Sequence, residues 1–205
     1  MKRTATFDSS LWVHVVYLDL VTFLLDDFEL LCTPAVEQEL GQANPTGLRL
    51  NALLMDGRIH RAAPKKETVA LYGRGERAAI NLAIERKLLL LIDDGEPYEA
   101  AQQVGIEVTN SIVYLVRLYD QDRITVERAL GSLAKLMKRG TVRPAWIQAA
   151  LKMVSEVRAK KSPKKGISNG CGSFRTTVNP HFTRRSEAPL AFPRRGLGVG
   201  TRPSA

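Results

Sequence analysis

Two carboxylates close a long apolar run, Lys87-Leu88-Leu89-Leu90-Leu91-Ile92-Asp93-Asp94. An apolar stretch without alternation suits a strand buried on both faces of a parallel sheet. In open α/β sheets ligands bind beyond the carboxyl ends of the strands, so Asp93 and Asp94 stand where chemistry is done. Three further acids fall at comparable places. Asp8 ends the short segment Thr4-Ala5-Thr6-Phe7. At 100° per residue, Glu76 shares a helix face with Ala79, Ile80, Ala83 and Ile84, and Glu39 borders the side marked by Val36 and Leu40. Each acid has a plain structural reading. Asp8 can cap a helix, as Ser9 or Ser10 equally can. Glu76 can serve a helix dipole, Glu39 can be partly exposed, and Asp93-Asp94 can be a solvated turn before Gly95. Gathered at one sheet edge, like-charged carboxylates repel and raise one another's pKa. A divalent cation removes that conflict, and all-oxygen ligation suits Mg²⁺ or Mn²⁺. The chemistry that follows is phosphodiester hydrolysis, with water activated and phosphate charge neutralised by the metal.

The elements that must position these acids alternate. Strands are expected over residues 4–8, 28–32, 58–62, 88–93 and 106–109. Helices are expected from Ser9 or Ser10 to Asp19, then over 20–25, 34–40, 48–55, 76–86, 97–104, 111–119, 125–138 and 144–157. Thr33-Pro34 marks one helix start, with Thr as N-cap and Pro at the first helical position. Strands alternating with helices imply an α/β fold built on a parallel sheet.

The chain has 205 residues, enough for one domain with a proper core and something more. No apolar run reaches the roughly 18 residues of a membrane span. The N-terminal apolar stretch is broken by His14 and Asp19, which does not suit a signal peptide. Cys32 and Cys171 lie far apart, so neither a metal cluster nor a disulfide framework is implied, and a reducing cytoplasm is the simplest compartment. The net charge of +9 is unevenly spread. Residues 158–205 hold eleven basic residues and one acid, Glu187, a net +10; residues 1–157 hold nineteen basic and twenty acidic, a net −1. Two regions follow: a near-neutral domain over 1–157 and a basic Gly/Pro-rich tail over 158–205, expected to be disordered. The tail is either an electrostatic arm for nucleic-acid phosphates or an extension without function. Its aromatics for base stacking are only Phe174, Phe182 and Phe192.

Four segments in order, Phe7-Asp8-Ser9-Ser10, Thr33-Pro34-Ala35-Val36-Glu37-Gln38-Glu39-Leu40, Gly73-Arg74-Gly75-Glu76-Arg77-Ala78-Ala79-Ile80 and Leu91-Ile92-Asp93-Asp94, resemble the PIN-domain nucleases. The Gly-Arg-Gly-Glu and Ile-Asp-Asp forms are most similar to an uncharacterised PIN-like branch. The toxin ribonucleases of bacterial and archaeal toxin–antitoxin pairs (the VapC type) are better-studied relatives. The resemblance covers roughly residues 4–140. It implies a three-layer α/β/α sandwich with a central parallel sheet, and Asp8, Glu39, Glu76 and Asp94 as metal-binding, catalytic acids holding Mg²⁺ or Mn²⁺, with Asp93 as the alternative to Asp94. Ser10 matches the small hydroxyl near the first acid, and Thr109 a supporting position at a strand end. It also implies hydrolysis of single-stranded RNA, a small antitoxin partner and a homodimer. Three departures stand out: Ile92 replaces the hydroxyl two residues before the last acid, the third acid is Glu rather than Asp, and Trp12-Val13-His14 replaces a simpler aliphatic run.

Two other readings compete. Gly73-Arg74-Gly75-Glu76-Arg77-Ala78 fits G-x-G-x-x-A, with Asp93 twenty residues after Gly73, as in a Rossmann-like dinucleotide-binding fingerprint. A non-catalytic nucleic-acid-binding or interaction module on the same fold is the other. The remaining features read as scaffold. His14 suits a core edge, Trp12 and Trp146 suit packing anchors, and His60 and His181 lack partners at metal spacing. Arg117, Arg123, Arg128, Lys135, Lys138 and Arg139 suit a solvated helix face more than a phosphate rim, and the apolar stripe Ala129, Leu130, Leu133, Leu136, Met137 suits the core more than a dimer face.

Overall fold

In the computed structural model, which describes residues 2–161, five strands form one wholly parallel sheet in the order β3-β2-β1-β4-β5. The strands are β1 (Arg3–Phe7), β2 (Phe28–Cys32), β3 (Ile59–Arg61), β4 (Leu89–Leu91) and β5 (Val108–Thr109). Register pairs Phe7 with Leu91, Ala5 with Leu30 and Leu90 with Val108. In β1, successive residues Ala5, Thr6 and Phe7 are fully buried, and all of β4 is buried. Side chains on both faces of the sheet are therefore covered, which makes the three-layer α/β/α sandwich.

The helices among the described residues are α1 (Ser9–Tyr17), α2 (Val21–Asp27), α3 (Pro34–Leu40), α4 (Pro45–Met55), α5 (Arg74–Arg86), α6 (Gly95–Gln103), α7 (Ser111–Asp120), α8 (Val126–Arg139) and α9 (Pro144–Lys161). Thr33 caps α3 through its hydroxyl, which accepts the Val36 N–H at 3.3 Å, with Pro34 in the first turn. α4 starts three residues before the expected Leu48. Asn44 Oδ1 accepts the Gly47 N–H at 2.9 Å and Pro45 opens the helix, so the cap lies between the helices expected over 34–40 and 48–55. α9 runs four residues past Val157, and Lys161 Nζ reaches the Tyr119 carbonyl at 2.5 Å and Asp122 Oδ1 at 2.6 Å. Residues 158–161, expected to belong to the disordered basic tail, therefore lie in α9, and the rest of that tail, from Ser162 onward, lies outside the described residues.

The core extends from Phe7, Trp12 and Leu90 in the sheet region to Ile147 and Val154 in α9. Phe7 and Trp12 stack with centroids 5.2 Å apart, and the Trp12 indole N–H donates to the Thr46 carbonyl at 2.9 Å. Trp12 therefore ties α1 to α4. No single helix among the described residues is long and apolar enough to cross a membrane.

Candidate active site

Parallel β1 and β4 end side by side, so the residues that follow each strand arrive at one edge. The Asp8 N–H donates to the Leu91 carbonyl at 3.1 Å, which sets the first acid against the end of β4. From β1 the sheet runs to β2 on one side and to β4 on the other. This edge is therefore the topological switch point, where α/β sheets leave a crevice for ligands. α3 and α5 pack against each other and carry Glu39 and Glu76 towards it.

Asp8 is completely buried. It caps α1: Oδ1 accepts the Leu11 N–H at 3.0 Å, and Oδ2 accepts the Ser10 N–H at 3.3 Å and the Ser10 hydroxyl. The cap that Ser9 or Ser10 could have supplied is thus made by Asp8 itself. Ser10 supports the acid, and Ser9 donates instead to Glu39 Oε2 at 2.8 Å. Burial pushes the Asp8 carboxyl up to about 7, against the Ser10 and Leu11 hydrogen bonds, and the charges of Asp93 and Glu76 push the same way. Glu76 is raised for related reasons. Burial is first, opposed by the Gly73 N–H it accepts at 3.1 Å, then reinforced by the Asp94 carboxylate and by Glu39. Glu76 also fills the role of a first-turn acid, reaching back to the residue before its helix.

Glu39 is exposed, yet both its oxygens are engaged, Oε2 by Ser9 and Oε1 by the Gly75 N–H at 2.6 Å. A Cβ on Gly75 would stand 2.2 Å from Glu39 Oε2, so glycine permits this approach of α3 to α5. Just before this turn Tyr72 has φ 77°, a left-handed conformation unusual for a bulky residue.

The Asp93–Asp94 pair divides. Asp93 is 7 % exposed; its Oδ2 lies 2.5 Å from His14 Nδ1 and its Oδ1 accepts the Ser111 N–H at 2.7 Å. His14 Nε2 lies 2.8 Å from the Thr141 hydroxyl. Asp93 is thereby committed to joining α1, the start of α7 and the α8–α9 connection. Asp94 is exposed, stands at the N-cap of α6 without a side-chain cap bond, and is the one beside Glu76. Thr109 contributes through its backbone: its carbonyl accepts the Ile92 N–H at 3.0 Å, and two residues later Ser111 holds Asp93.

His14, expected at a core edge, is buried and is also the partner of Asp93. Its sequence signal is a polar residue one turn after Ser10, on the same face of α1. Two further contributors carried no motif. Asn81 is buried and clamps residues 68–69, accepting the Thr68 and Val69 N–H groups at 2.8 Å and donating to the Val69 carbonyl at 2.9 Å. Arg143 packs on Gly95, directly after Asp94. Of the arginines read as a possible rim, Arg123 pairs with Asp27 at 2.5 Å and Arg128 with Asp19 at 3.6 Å.

Among the described residues, no three Asp, Glu, His or Cys side chains stand close enough together to hold one ion. The hydrogen bonds give the reason: Asp8 is turned into the start of α1, Glu39 towards Ser9 and Gly75, and Glu76 towards Gly73. In chemistry the donor set fits a hard divalent cation. It is all carboxylate oxygen, and burial and mutual repulsion already oppose ionisation of Asp8 and Glu76.

A family model described as a PIN domain matches residues 6–156. The chain belongs to the PIN-domain family. The match starts two residues before Asp8 and ends inside α9, so it spans all four acids of the edge and extends sixteen residues past the motif resemblance. No curated protein is similar enough to the chain to match it. The PIN fold is a nuclease-type fold. It replaces the dinucleotide-binding reading, which needs a strand immediately before the glycines. Here residues 62–73 contain no strand, and Asn81 holds residues 68–69 of that stretch, so Gly73-Arg74-Gly75 opens α5 from a loop.

Proposed function

We propose that the chain is a metal-dependent endoribonuclease of single-stranded RNA, with Asp8, Glu39, Glu76 and Asp94 as the acids that hold one or two Mg²⁺ or Mn²⁺ ions. The observation that carries the reading is Asp8, an acid wholly buried at the switch point, raised to about 7 and flanked by Asp93 and Glu76. Carboxylates kept so close to protonation at neutral pH cluster at functional sites. A divalent cation at this edge supplies charge neutralisation for the phosphodiester and makes water more acidic. The chain's own residues do the rest. Ser10 and the Leu11 N–H orient Asp8, and Ser9 and the Gly75 N–H orient Glu39. His14 and the Ser111 N–H hold Asp93 inward, which leaves Asp94 on the open side with Glu76.

The resemblance to VapC-type toxins extends the proposal to a toxin role with a small antitoxin partner and a homodimer. The second reading, a non-catalytic nucleic-acid-binding module, is favoured by one observation: among the described residues no three acids converge as they lie. Cleavage of a labelled single-stranded RNA by wild type, Asp8→Asn and Asp94→Asn, with Mn²⁺ and with EDTA, tests the proposal. Wild type is expected to cut only with Mn²⁺ and both variants to be inactive. Equal cleavage by all three contradicts it, and RNA binding without any cleavage selects the second reading.

A further inference from the structure

We propose that Arg143 grips the phosphate backbone of the RNA beside the acidic edge, an inference that rests on the ribonuclease reading above. The connection between α8 and α9 reaches the Asp93–Gly95 step through Arg143, and the ring that holds Asp93 through Thr141. The Thr141 hydroxyl lies 2.8 Å from the Nε2 of His14, the ring that holds Asp93. Val142 is buried. The Arg143 guanidinium lies directly on Gly95, where a Cβ would stand 1.9 Å from Cζ and 2.1 Å from Nε and Nη2. Only a residue without a side chain lets the cation come so near the backbone that follows Asp94.

Two more contacts aim it. Glu99, one turn along α6, accepts from Nη1 at 2.8 Å, and the Trp146 ring centroid is 5.7 Å from Cζ. The Arg143 side chain nevertheless keeps 44 % of its surface exposed, and Glu99 keeps 59 %. An ion pair so open contributes little to stability, so the contacts are better understood as orienting a fork-shaped donor. The chemistry of the edge calls for one. Asp94, Glu76, Glu39 and Asp93 repel a polyanion, and a strand brought to them needs a positive charge at close range. A planar guanidinium meets phosphate with two parallel hydrogen bonds. Arg123 and Arg128, by contrast, flank the Phe23 ring and are paired with Asp27 and Asp19, away from this step.

Fluorescence anisotropy with a labelled single-stranded RNA in EDTA, across a salt series, tests the role without any cleavage. Arg143→Ala is expected to bind about tenfold more weakly and to flatten the slope of log K against log salt by about 0.7, the value for one lost phosphate contact on a single strand. Arg143→Lys is expected to keep the slope and lose part of the affinity, and Glu99→Gln to bind at least as tightly as wild type. Thermal melts of the three variants verify that each is folded. Wild-type affinity and slope in Arg143→Ala overturn the role of Arg143 alone, and so does a Glu99→Gln variant as weak as Arg143→Ala, which makes the arginine a structural tie. A wild type that binds no RNA in this assay overturns the role of Arg143, and one that also fails to cut RNA with Mn²⁺ overturns the ribonuclease reading with it.

Discussion

Asp8→Asn is expected to make the protein more stable at neutral and alkaline pH while removing its proposed activity. The folded-state carboxyl titrates at about 7, raised from the ordinary 3.8, chiefly by burial. The unfolded chain therefore loses its proton first as pH rises, and the native state pays for an ionised Asp8 from about pH 4 upward. The stability lost is complete once pH passes about 7. A difference of roughly three pK units corresponds to about 4 kcal/mol at 1.36 kcal/mol per unit. Asparagine removes the charge and keeps one acceptor for the Leu11 N–H, but it disturbs the bonds from Ser10 at a cost of about 1 kcal/mol for a weakened cap. The net gain at pH 8 is about 3 kcal/mol, an increase in Tm of about 6–12 °C for a domain of this size. Paired denaturant and thermal unfolding of wild type and Asp8→Asn in EDTA, at pH 4, 6 and 8, measures it. The variant's advantage should grow between pH 4 and 7 and then level off. An advantage that is absent at pH 8, or independent of pH, refutes the argument that Asp8 is held buried against its own ionisation.

Three further outcomes follow from the same contacts. Adding Mn²⁺ should raise the Tm of wild type more at pH 8 than at pH 5, because protons compete for Asp8 and Glu76, whose carboxyls are both raised; a pH-independent shift counts against cation binding there. His14→Ala leaves Asp93 buried with its Oδ2 partner gone, so denaturant unfolding should show a loss of about 3 kcal/mol, and a loss below about 1 kcal/mol contradicts the buried link. Gly75→Ala drives Glu39 from its bond to the Gly75 N–H, so Mn²⁺ affinity should fall as in Glu39→Gln while unfolding free energy changes by about 1 kcal/mol or less, since alanine favours the helix.

The sheet was legible in the sequence because parallel strands covered on both faces read as short, mostly apolar runs, continuous over residues 88–92 and interrupted only by the exposed Glu29 over Phe28–Cys32. The start of α4 was also within reach, in the Asn44-Pro45 cap. The partition of Asp93 and Asp94 was not. Neighbouring residues point to opposite sides, and what decides between them is His14, 79 residues away, and Ser111, 18 residues away. The placement of Thr141 and Arg143 was hidden for the same reason: both owe their position to packing of the α8–α9 connection on the edge, which no periodicity records. The four acids were visible as strand-end and helix-face residues, but the hydrogen bonds of Asp8, Glu39 and Glu76 to Ser10, Ser9, Gly75 and Gly73 were not, and those bonds turn these three carboxylates apart.

Direct Mn²⁺ titration followed by electron paramagnetic resonance, at pH 7.5, addresses the claim that this edge is a cation site. Wild type is predicted to take up Mn²⁺ saturably. Asp94→Asn is predicted to weaken that binding by about tenfold or more, as expected when a metal ligand or its immediate support is lost. Saturable binding of equal affinity in wild type and Asp94→Asn, or no saturable binding in wild type, contradicts it.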